Sequence, residues 1–495
     1  MKKITRAVAI VLLFALTIPI LASCGNIASC GNMNGNKAIK KFDELIAESD
    51  KFYADGKYTE STISLEMSGT LSEVSISSKS ESTGTITAIN KGTESFSYLE
   101  KAQFTNSSKI GDSEETVEKF DMLKGYVDKN MIYSYVPTKK SKKVQLKSSC
   151  TPSEYEQYLD FQKGINTPQI KSEYIEEITI KEETSDNVWI ITITELNKNG
   201  ENAFDDWFHY SMANTSLYFK LKRFEAIITV DIDTGAIKES KMNIKAQSSV
   251  QDVEMSIKSN EKYFLPDPNE NLIPENYDKY VETGNLMYSS YALHEIRKLL
   301  TLNNDTSFSF AGSTWIKSGT NLNVSENYSV NLGIKNKNFV YQIDGETRSG
   351  GKSSEMTVTY DGKNQKISLG GKDPQSNEQS EYEAKSYIVN SMLNSFYFDE
   401  QYIKSIKVVP TINAYNVTFT LNNSSKLTSL LTSAGLSADN LTNSDIYLKI
   451  VFEKETNKII SAEYKASGTI NSANIYYQAN ISNFDQPDLS FIEEN

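Results

Sequence analysis

The chain has 495 residues with 64 acidic and 51 basic side chains, and its formal net charge is −13. An acidic surface is repelled by nucleic-acid phosphates and by anionic lipid headgroups, so we expect neither as a docking surface. Three cysteines and two histidines exclude a disulfide scaffold and argue against a metal site, and we predict no metal, no cofactor and no nucleic-acid partner. The length exceeds one ordinary hydrophobic core, which favours two or more domains.

The first 23 residues have the three parts of an export signal. A basic start is followed by an apolar stretch, residues 8–21, that is too short for a comfortable membrane span, and then by small residues. The stretch LASC, which ends at Cys24, resembles the lipobox of bacterial lipoproteins, in which the cysteine receives a diacylglyceryl group before the peptidase cuts in front of it. We therefore predict a lipoprotein signal peptide at residues 1–23 and lipid attachment at Cys24.

A second copy of the phrase ASCGN ends its small-residue run at Cys30. Cleavage there would bring a polar Gly-Asn pair into a region that should be small or apolar, which favours Cys24; a secreted protein cut near Ala22 is the alternative. Residues 24–36 are rich in Gly and Asn and predict a flexible tether. Removing residues 1–23 lowers the net charge from −13 to −16. Acyl chains must therefore provide the attachment, and we predict the outer face of the bacterial cytoplasmic membrane.

Three blocks of the sequence recur in the same order at nearly one offset. The paired starting points are Ser153 with Ser380, Tyr174 with Tyr402, and Phe224 with Ile446, at offsets of 227, 228 and 222. Few residues are identical, but the apolar positions coincide. We predict two homologous domains, residues 37–266 and 275–492, joined by a linker at residues 267–274.

Each half begins with a helical pattern and continues with strands. The helical positions are Ile39, Phe42 and Ile46 in the first half and Leu293, Ile296 and Leu300 in the second. Apolar and polar residues then alternate, for example from Ile446 to Phe452, as antiparallel strands with one solvated face require. Gly235 and Asn457 occupy equivalent positions in two hairpin turns, where a positive φ is expected.

Short amphipathic helices are predicted between strands at residues 202–213 and 425–436. A lipobox, a leading helix, an antiparallel meander and an inserted helix together resemble the layout of LolA-like lipoproteins, including the LppX/LprG type. The resemblance implies an α+β fold of two homologous domains, each a leading helix plus a curved antiparallel sheet, or half-barrel, with a short inserted helix. In that family the concave face holds acyl chains or other apolar ligands.

Trp189, Trp207 and Phe208 are the candidate ligand-binding residues. Trp207 and Phe208 lie on the first predicted inserted helix, so the three rings would lie between sheet and helix. The alternative is that they pack the core, and His209 beside them is expected to be an ordinary helix-face histidine. Residues 345–353 depart from phosphate-loop spacing by one residue and predict a Gly-rich hairpin.

Two classes of function agree with these patterns. We predict a membrane-anchored, extracytoplasmic lipoprotein that binds or carries an apolar or lipid ligand without catalysis. The alternative is a structural or protein-partner-binding module of the cell envelope that has no small-molecule ligand. A hydrolase needs convergent titratable groups, which the sequence does not offer, so we predict that the chain is not an enzyme. A deep apolar pocket would favour the ligand and a filled interior the partner.

Overall fold

The computed structural model describes residues 33–71, 73–138, 143–165, 168–213, 217–249, 251–302, 306–318, 321–335, 338–349, 351–398, 400–422, 442–470, 473–484 and 486–491. Over these ranges, 57% of the residues lie in strands and 20% in helices. The chain divides into two compact units, with the boundary between Glu282 and Thr283.

The predicted α+β class with half-barrel sheets is wrong. The strands form two large sheets of 13 and 11 strands that are antiparallel throughout, apart from one short parallel pair. Only five α-helices occur in the described ranges, and they lie between long runs of strand. The strands reach 16 residues. Strands of that length pair along most of their backbone, which makes the sheets rather than the helices the main element of each unit.

The first unit contains one sheet and three helices. Its strands are β1 (Met33–Asn34), β2 (Gly56–Leu71), β3 (Val74–Ile89), β4 (Ser97–Ile110), β5 (Thr116–Val127), β6 (Asn130–Pro137), β7 (Val144–Ser149), β8 (Ile175–Glu183), β9 (Val188–Leu196), β10 (Phe219–Asp231), β11 (Ile237–Ser248), β12 (Asp252–Phe264) and β13 (Val281–Glu282). Its helices are α1 (Gly35–Phe52), α2 (Pro152–Ile165) and α3 (Lys198–Ser211). The strand order is β1-β8-β9-β10-β11-β12-β2-β3-β4-β5-β6-β7-β13.

The second unit repeats this plan with fewer described elements. Its strands are β14 (Phe308–Ser318), β15 (Asn321–Lys335), β16 (Asn338–Ser349), β17 (Lys352–Tyr360), β18 (Asn364–Leu369), β19 (Gln375–Glu378), β20 (Ile403–Pro410), β21 (Ala414–Leu421), β22 (Thr442–Glu453), β23 (Ile459–Ile470) and β24 (Ala473–Ser482). Its helices are α4 (Met287–Thr301) and α5 (Glu381–Ser391). The predicted helix at residues 425–436 lies outside the described residues.

Eleven strands have the same order in both sheets. In the first sheet β8 to β12 are followed by β2 to β7, and in the second β20 to β24 are followed by β14 to β19. The last long strand of each unit therefore pairs with the first, β12 with β2 and β24 with β14. This pairing joins the two ends of each unit in the middle of its sheet.

The alternation of the sequence decides which face of a strand is buried. Along β10, Phe224, Ala226, Ile228 and Val230 are buried, whereas Glu225 on the opposite face is partly exposed. We call the face of the sheet that carries the first set the buried face and the opposite face the outer face.

Local chemistry closes the equivalent hairpins. Gly235 has φ +68° and Asn457 has φ +55°, so the positive φ predicted for both turns is confirmed. In the first of these turns the Asp231 carboxylate accepts hydrogen bonds from the backbone N–H and the hydroxyl of Thr234, each at 2.9 Å. The side chain of Asn197 caps α3 by accepting from the N–H groups of Asn199 and Gly200.

Residues 267–282, which we call the strap, pack on the outer face at one end of the first sheet. Leu272 and Tyr280 lie in a hydrophobic cluster with strand residues, which are Ile89, Leu99, Val127 and Ile132. The Asn130 amide donates to the Tyr277 hydroxyl at 2.9 Å. The strap ends as β13, which pairs in parallel with β7. A segment predicted as a linker thus contributes buried side chains to the first unit.

Candidate functional site

Trp189 lies in β9, on the buried face of the first sheet, and is 2% exposed. Its partner on the neighbouring strand β10 is Val230. The ammonium group of Lys41, on α1, lies 5.6 Å from the centre of the Trp189 ring, within cation–π range. The Lys41 side chain is itself buried, and its nearest carboxylate in an ion pair is Glu44 at 3.9 Å. Trp189 is therefore enclosed between the sheet and α1.

Trp207 and Phe208 lie on α3 and are 7% and 1% exposed. Their ring centres are 5.1 Å apart, and both rings contact Phe204, which in turn contacts Phe224 of β10 at 5.2 Å. The ring contacts in the described part of the chain join these two residues to each other and do not join either to Trp189. Trp189 packs in one part of the core, and Trp207 and Phe208 pack together in another. Ligand binding by these three residues stays a prediction.

Among the cysteines and histidines of the chain, Cys150 and His294 have pKa values that burial shifts. Cys24 and Cys30 lie outside the described residues. Burial, with a smaller contribution from Glu154, raises the pKa of the Cys150 thiol to about 12, so the thiolate needed for nucleophilic chemistry is scarce at neutral pH. Burial also lowers the pKa of His294 to about 3, and the neighbouring lysine and arginine add to this effect.

The described ranges contain no group of three or more His, Cys, Asp or Glu side chains placed to hold a metal ion. Nor do they contain a helix that is long and apolar enough to cross a membrane.

Residues 345–353, predicted as a Gly-rich hairpin, span the end of β16 and the start of β17, which pair in antiparallel fashion.

The buried face of the first sheet is polar near its middle. Ser80 donates to the Asn106 amide oxygen, and the Tyr263 hydroxyl donates to the Glu261 carboxylate. Four buried polar atoms there have no hydrogen-bond partner among the described residues: Ser78 Oγ, Ser82 Oγ, Asn106 Nδ2 and Glu261 Oε1. An acyl chain offers no hydrogen bonds, so packing one here would leave these atoms unpaired. This part of the interior does not suit an apolar ligand.

A trough of about 730 Å³ crosses the outer face of six adjacent strands of the first sheet. The strands are β10, β11, β12, β2, β3 and β4, and each contributes two side chains, so the lining forms two rows. The first row is Ile227, Lys241, Asn260, Thr62, Thr83 and Gln103, and the second is Glu225, Asn243, Lys258, Ser64, Glu81 and Thr105. Six strands at ~4.8 Å spacing give the trough a length of ~24 Å.

Most charges in the trough are neutralised in pairs on the same strand. Lys79 lies 2.8 Å from Glu81, Arg223 lies 3.5 Å from Glu225, and Glu239 lies 2.8 Å from Lys241. Lys258 has no ion pair within the described ranges, and the register sets it opposite Ser64 and Asn243. The trough therefore offers one unpaired cation among hydroxyl and amide groups.

Two amide oxygens at the centre of the trough lack hydrogen-bond donors. Asn243 Oδ1 and Asn260 Oδ1 are buried and have no partner in the described part of the chain. An unpaired buried acceptor costs about 1–3 kcal/mol, and the surrounding side chains leave neither oxygen exposed to solvent. Seven of the twelve side chains in the two rows carry a hydroxyl or an amide group, so the trough suits a polar ligand.

Sequence reasoning missed the trough. Its lining residues stand at alternate positions along their strands and are typical of any solvated face, and nothing in the sequence marks a concave region. The one available signal is composition: Ser, Thr and Gly make up half of β2 and slightly more than half of β3.

Comparisons with known proteins leave the family open. No protein-family model matches the chain, and no curated protein matches it. A candidate AttH protein from Nitrosomonas europaea shares 7% identity over 86% of this chain and 92% of its own, with a TM-score of 0.13. A candidate outer membrane protein from Bacteroides fragilis shares 9% identity over 88% of this chain and 99% of its own, with a TM-score of 0.17. At such TM-scores neither likeness bears on fold or function, and the LolA-like resemblance stays a prediction.

Proposed function

We propose that this chain is a bacterial lipoprotein, held at the outer face of the cytoplasmic membrane by a lipid on Cys24, that binds an extended polar partner of the cell envelope. The trough is the binding surface, and binding is not followed by catalysis. Of the two functions that the sequence suggests, this proposal widens the second, a structural or protein-partner-binding module, to any extended polar chain.

The trough is the observation that carries the proposal. Two aligned rows of side chains across six strands form a groove ~24 Å long and about two residues, or ~7 Å, wide. Such a shape suits a single extended chain that lies across the strands. The hydroxyl and amide side chains of both rows, together with the Lys258 ammonium, supply polar contacts for it.

The buried face supports the partner over a lipid. Its unpaired atoms, which include Asn106 Nδ2 and Glu261 Oε1, would meet only hydrocarbon if an acyl chain entered beside them. Trp189, Trp207 and Phe208 are in contact with neighbouring side chains of the protein itself. We therefore assign binding to the outer face.

Photo-crosslinking in the producing cell tests the proposal. A benzoylphenylalanine is introduced at Thr62, in the trough, and the membrane fraction is examined for covalent adducts after illumination. We expect adducts from this position. Digestion of the adduct with protease or with a muramidase then identifies the partner as protein or glycan.

The matched control is Ser68, which lies on the same face of the same strand, two alternate positions beyond the row of Ser64. Crosslinking at Ser68 should give no adduct or only a weak one. Equal adducts from both positions, or none from Thr62, would overturn the trough as the binding surface. An adduct with lipid alone would favour the lipid-carrier alternative.

A further inference from the structure

One end of the second sheet carries solvent-exposed aliphatic side chains. Ile412 lies at the tip of the β20–β21 hairpin and is 91% exposed, and Val409 and Ile460 are 46% and 47% exposed. On the face opposite the buried side chains, which is the outer face of this sheet, the register places Val409 and Val451 on either side of Asn416. We call Val409, Ile412, Val451 and Ile460 the apolar tip.

Backbone contacts hold the hairpin of the apolar tip in place. The Thr411 N–H donates to the Ala414 carbonyl at 2.8 Å and closes the hairpin, and the Lys454 N–H donates to the Asn413 carbonyl at 3.0 Å. The Lys454 ammonium also donates to the carbonyl of Thr411. Ile412 is therefore held away from the body of the sheet.

Ile460 reaches the same surface through a β-bulge. Val451 pairs with Ser461 in β23. The next pair is Phe452 with Ile459, so Ile460 is skipped. Ile459 is buried, whereas Ile460 is exposed, which shows that the bulge turns Ile460 to the outer face. It lies beside Ser461, the partner of Val451, and so extends the apolar tip across β22 and β23.

Two lysines lie one alternate position behind the apolar tip. Lys407 and Lys449 stand on either side of Thr418 on the outer face. They are two residues away from Val409 and Val451 along their strands, a distance of ~7 Å. Both lysine side chains are exposed. We call Lys407 and Lys449 the lysine row.

The charges around the apolar tip favour an anionic surface. The register sets Lys449 opposite Glu463, but the Glu463 carboxylate lies 2.5 Å from the Lys465 ammonium and is neutralised there. The adjacent β22–β23 turn adds two glutamates and two lysines, whose charges cancel: Glu453, Lys454, Glu455 and Lys458. The lysine row therefore gives this end of the sheet a local positive charge, although the chain as a whole is acidic.

The first unit shows that the fold requires neither feature. An offset of 228 residues relates β8 to β20, and an offset of 222 relates β10 and β11 to β22 and β23. The equivalent bulge recurs after Thr229. At the positions of the apolar tip the first unit has only polar residues: Lys181, Thr184, Thr229 and Lys238. At the positions of the lysine row it has uncharged residues: Thr179 and Ile227. Both features therefore belong to the second unit alone and indicate a binding role.

We propose that the apolar tip and the lysine row dock the second unit onto the surface of an anionic bilayer. The apolar tip enters the boundary between headgroups and acyl chains, and the lysine row, ~7 Å behind it, contacts lipid phosphates. The apolar area is small, so this contact orients a protein that an anchor already holds at the membrane. The inference goes beyond the proposed function and does not depend on the trough, and its test replaces the lipid anchor with an artificial tether.

A bilayer suits this surface better than a protein does. Ile412 projects from a hairpin and is 91% exposed, so a protein partner would need a pocket that encloses it. Hydrocarbon accepts an apolar side chain of any shape. Lipid phosphates lie just outside the hydrocarbon, at the level where the lysine row would stand, and long lysine side chains reach such phosphates readily.

A fluorescent probe beside the apolar tip tests the proposal. The chain from residue 24 onward carries Cys24→Ser, Cys30→Ser and Asn413→Cys, and the new thiol is labelled with nitrobenzoxadiazole. Cys150 is 6% exposed and stays unlabelled. An N-terminal hexahistidine tag holds the chain on vesicles that contain a nickel-chelating lipid. Because the probe leaves water on docking, we expect its emission to rise at least twofold on vesicles rich in phosphatidylglycerol. The rise should be smaller on phosphatidylcholine vesicles with the same content of nickel lipid.

Variants in the labelled chain separate the two features. Ile412→Asp, at an exposed position where substitution should not affect folding, should remove most of the rise. Lys407→Gln with Lys449→Gln should remove the difference between the two kinds of vesicle. The matched control is Thr184→Asp, at the equivalent position of the first unit, which should leave the rise unchanged.

The outcomes either support the docking or overturn it. No rise from the Asn413→Cys probe on either kind of vesicle, or an equal rise in Ile412→Asp, would overturn docking through the apolar tip. An equal rise from a probe at Ser185→Cys, in the equivalent hairpin of the first unit, would do the same, because tethering alone would then explain it. A rise that the lysine substitutions leave unchanged would overturn the lysine row.

A protein partner would give a different result. Benzoylphenylalanine at Asn413 would then crosslink to a protein in the producing cell, while the vesicles would give no rise, and the bilayer assignment would be wrong. None of these outcomes bears on crosslinking from Thr62, so the proposed function stands or falls separately.

Discussion

Glu261 lies on the buried face of β12 with 2% of its surface exposed, and only one of its carboxylate oxygens has a hydrogen-bond donor. Burial raises the pKa of this carboxyl, although the hydrogen bond from Tyr263 and the nearby Lys57 act in the opposite direction. An acid whose pKa is raised by folding makes the fold less stable when it ionises. The side chain therefore imposes a cost that grows with pH.

We predict that Glu261→Gln stabilises the first unit at neutral pH. The amide can still accept from Tyr263 and carries no charge, so the free energy of unfolding should rise by about 1–3 kcal/mol at pH 7. Wild type keeps its full stability below the ordinary pKa of 4.5 and loses part of it as the pH rises through the higher folded value, so the difference should vanish near pH 4. Urea unfolding at both pH values measures it.

The matched control for this experiment is Glu254→Gln, because Glu254 is exposed on the same strand. Its effect should stay within about 0.5 kcal/mol at either pH. A gain for Glu261→Gln that is equal at pH 4 and pH 7 would mean that the buried charge is not its cause.

At the scale of elements, the two equivalent hairpin turns were the feature that the sequence predicted well. Gly235 and Asn457 allow the tight turns because they adopt a positive φ, and this depends only on residues close to them in the sequence. The trough depends on long-range register instead: Thr62 meets Asn260 across two strands that are 198 residues apart in sequence. No local pattern specifies such a pairing, which is why the trough could not be predicted.

The strap gives a test of how an irregular segment contributes to stability. Leu272 is 4% exposed in the cluster on the outer face of the first sheet, whereas its neighbour Ile273 is 47% exposed. Leu272→Ala removes buried methyl groups and should lower the free energy of unfolding by about 2–5 kcal/mol. Thermal unfolding followed by circular dichroism measures the change.

Ile273→Ala provides the comparison one residue away, with an expected effect within about 0.5 kcal/mol. If both variants behave alike, the strap does not pack on the sheet in solution and residues 267–274 act as a plain linker.

At the scale of the whole molecule, the alternation of residues predicted strands but not the class of the fold. A period of two shows that a strand has one buried face, and it does not show how many strands join the same sheet. The half-barrel came from the resemblance to LolA-like lipoproteins, whereas the described chain builds sheets of 13 and 11 strands. Helices open each half in sequence, but they form a much smaller part of the described fold than the strands do.

Both units have the same strand order, so their outer faces can differ in side chains while the backbone pairing stays the same. The backbone pairing is repeated, while the outer face changes: the register sets Gln478 at the position of Lys258 and Tyr447 at the position of Glu225. Outer-face positions can change in this way at small cost, because substitutions on a solvated strand face perturb stability little. Divergence of function is therefore expected on the outer faces first.

We predict that membrane attachment depends on one residue, Cys24. The predicted lipobox ends at Cys24, just after the apolar stretch of the predicted signal, and residues 24–495 carry a net charge of −16, which anionic headgroups repel. On this prediction acyl chains hold the protein, and two chains suffice for stable anchoring where one would be marginal. We predict that wild-type protein and Cys30→Ser incorporate labelled fatty acid in the producing cell and sediment with membranes. Cys24→Ser should incorporate none and leave the membrane fraction, whereas loss of label in Cys30→Ser alone would move the anchor to the second cysteine.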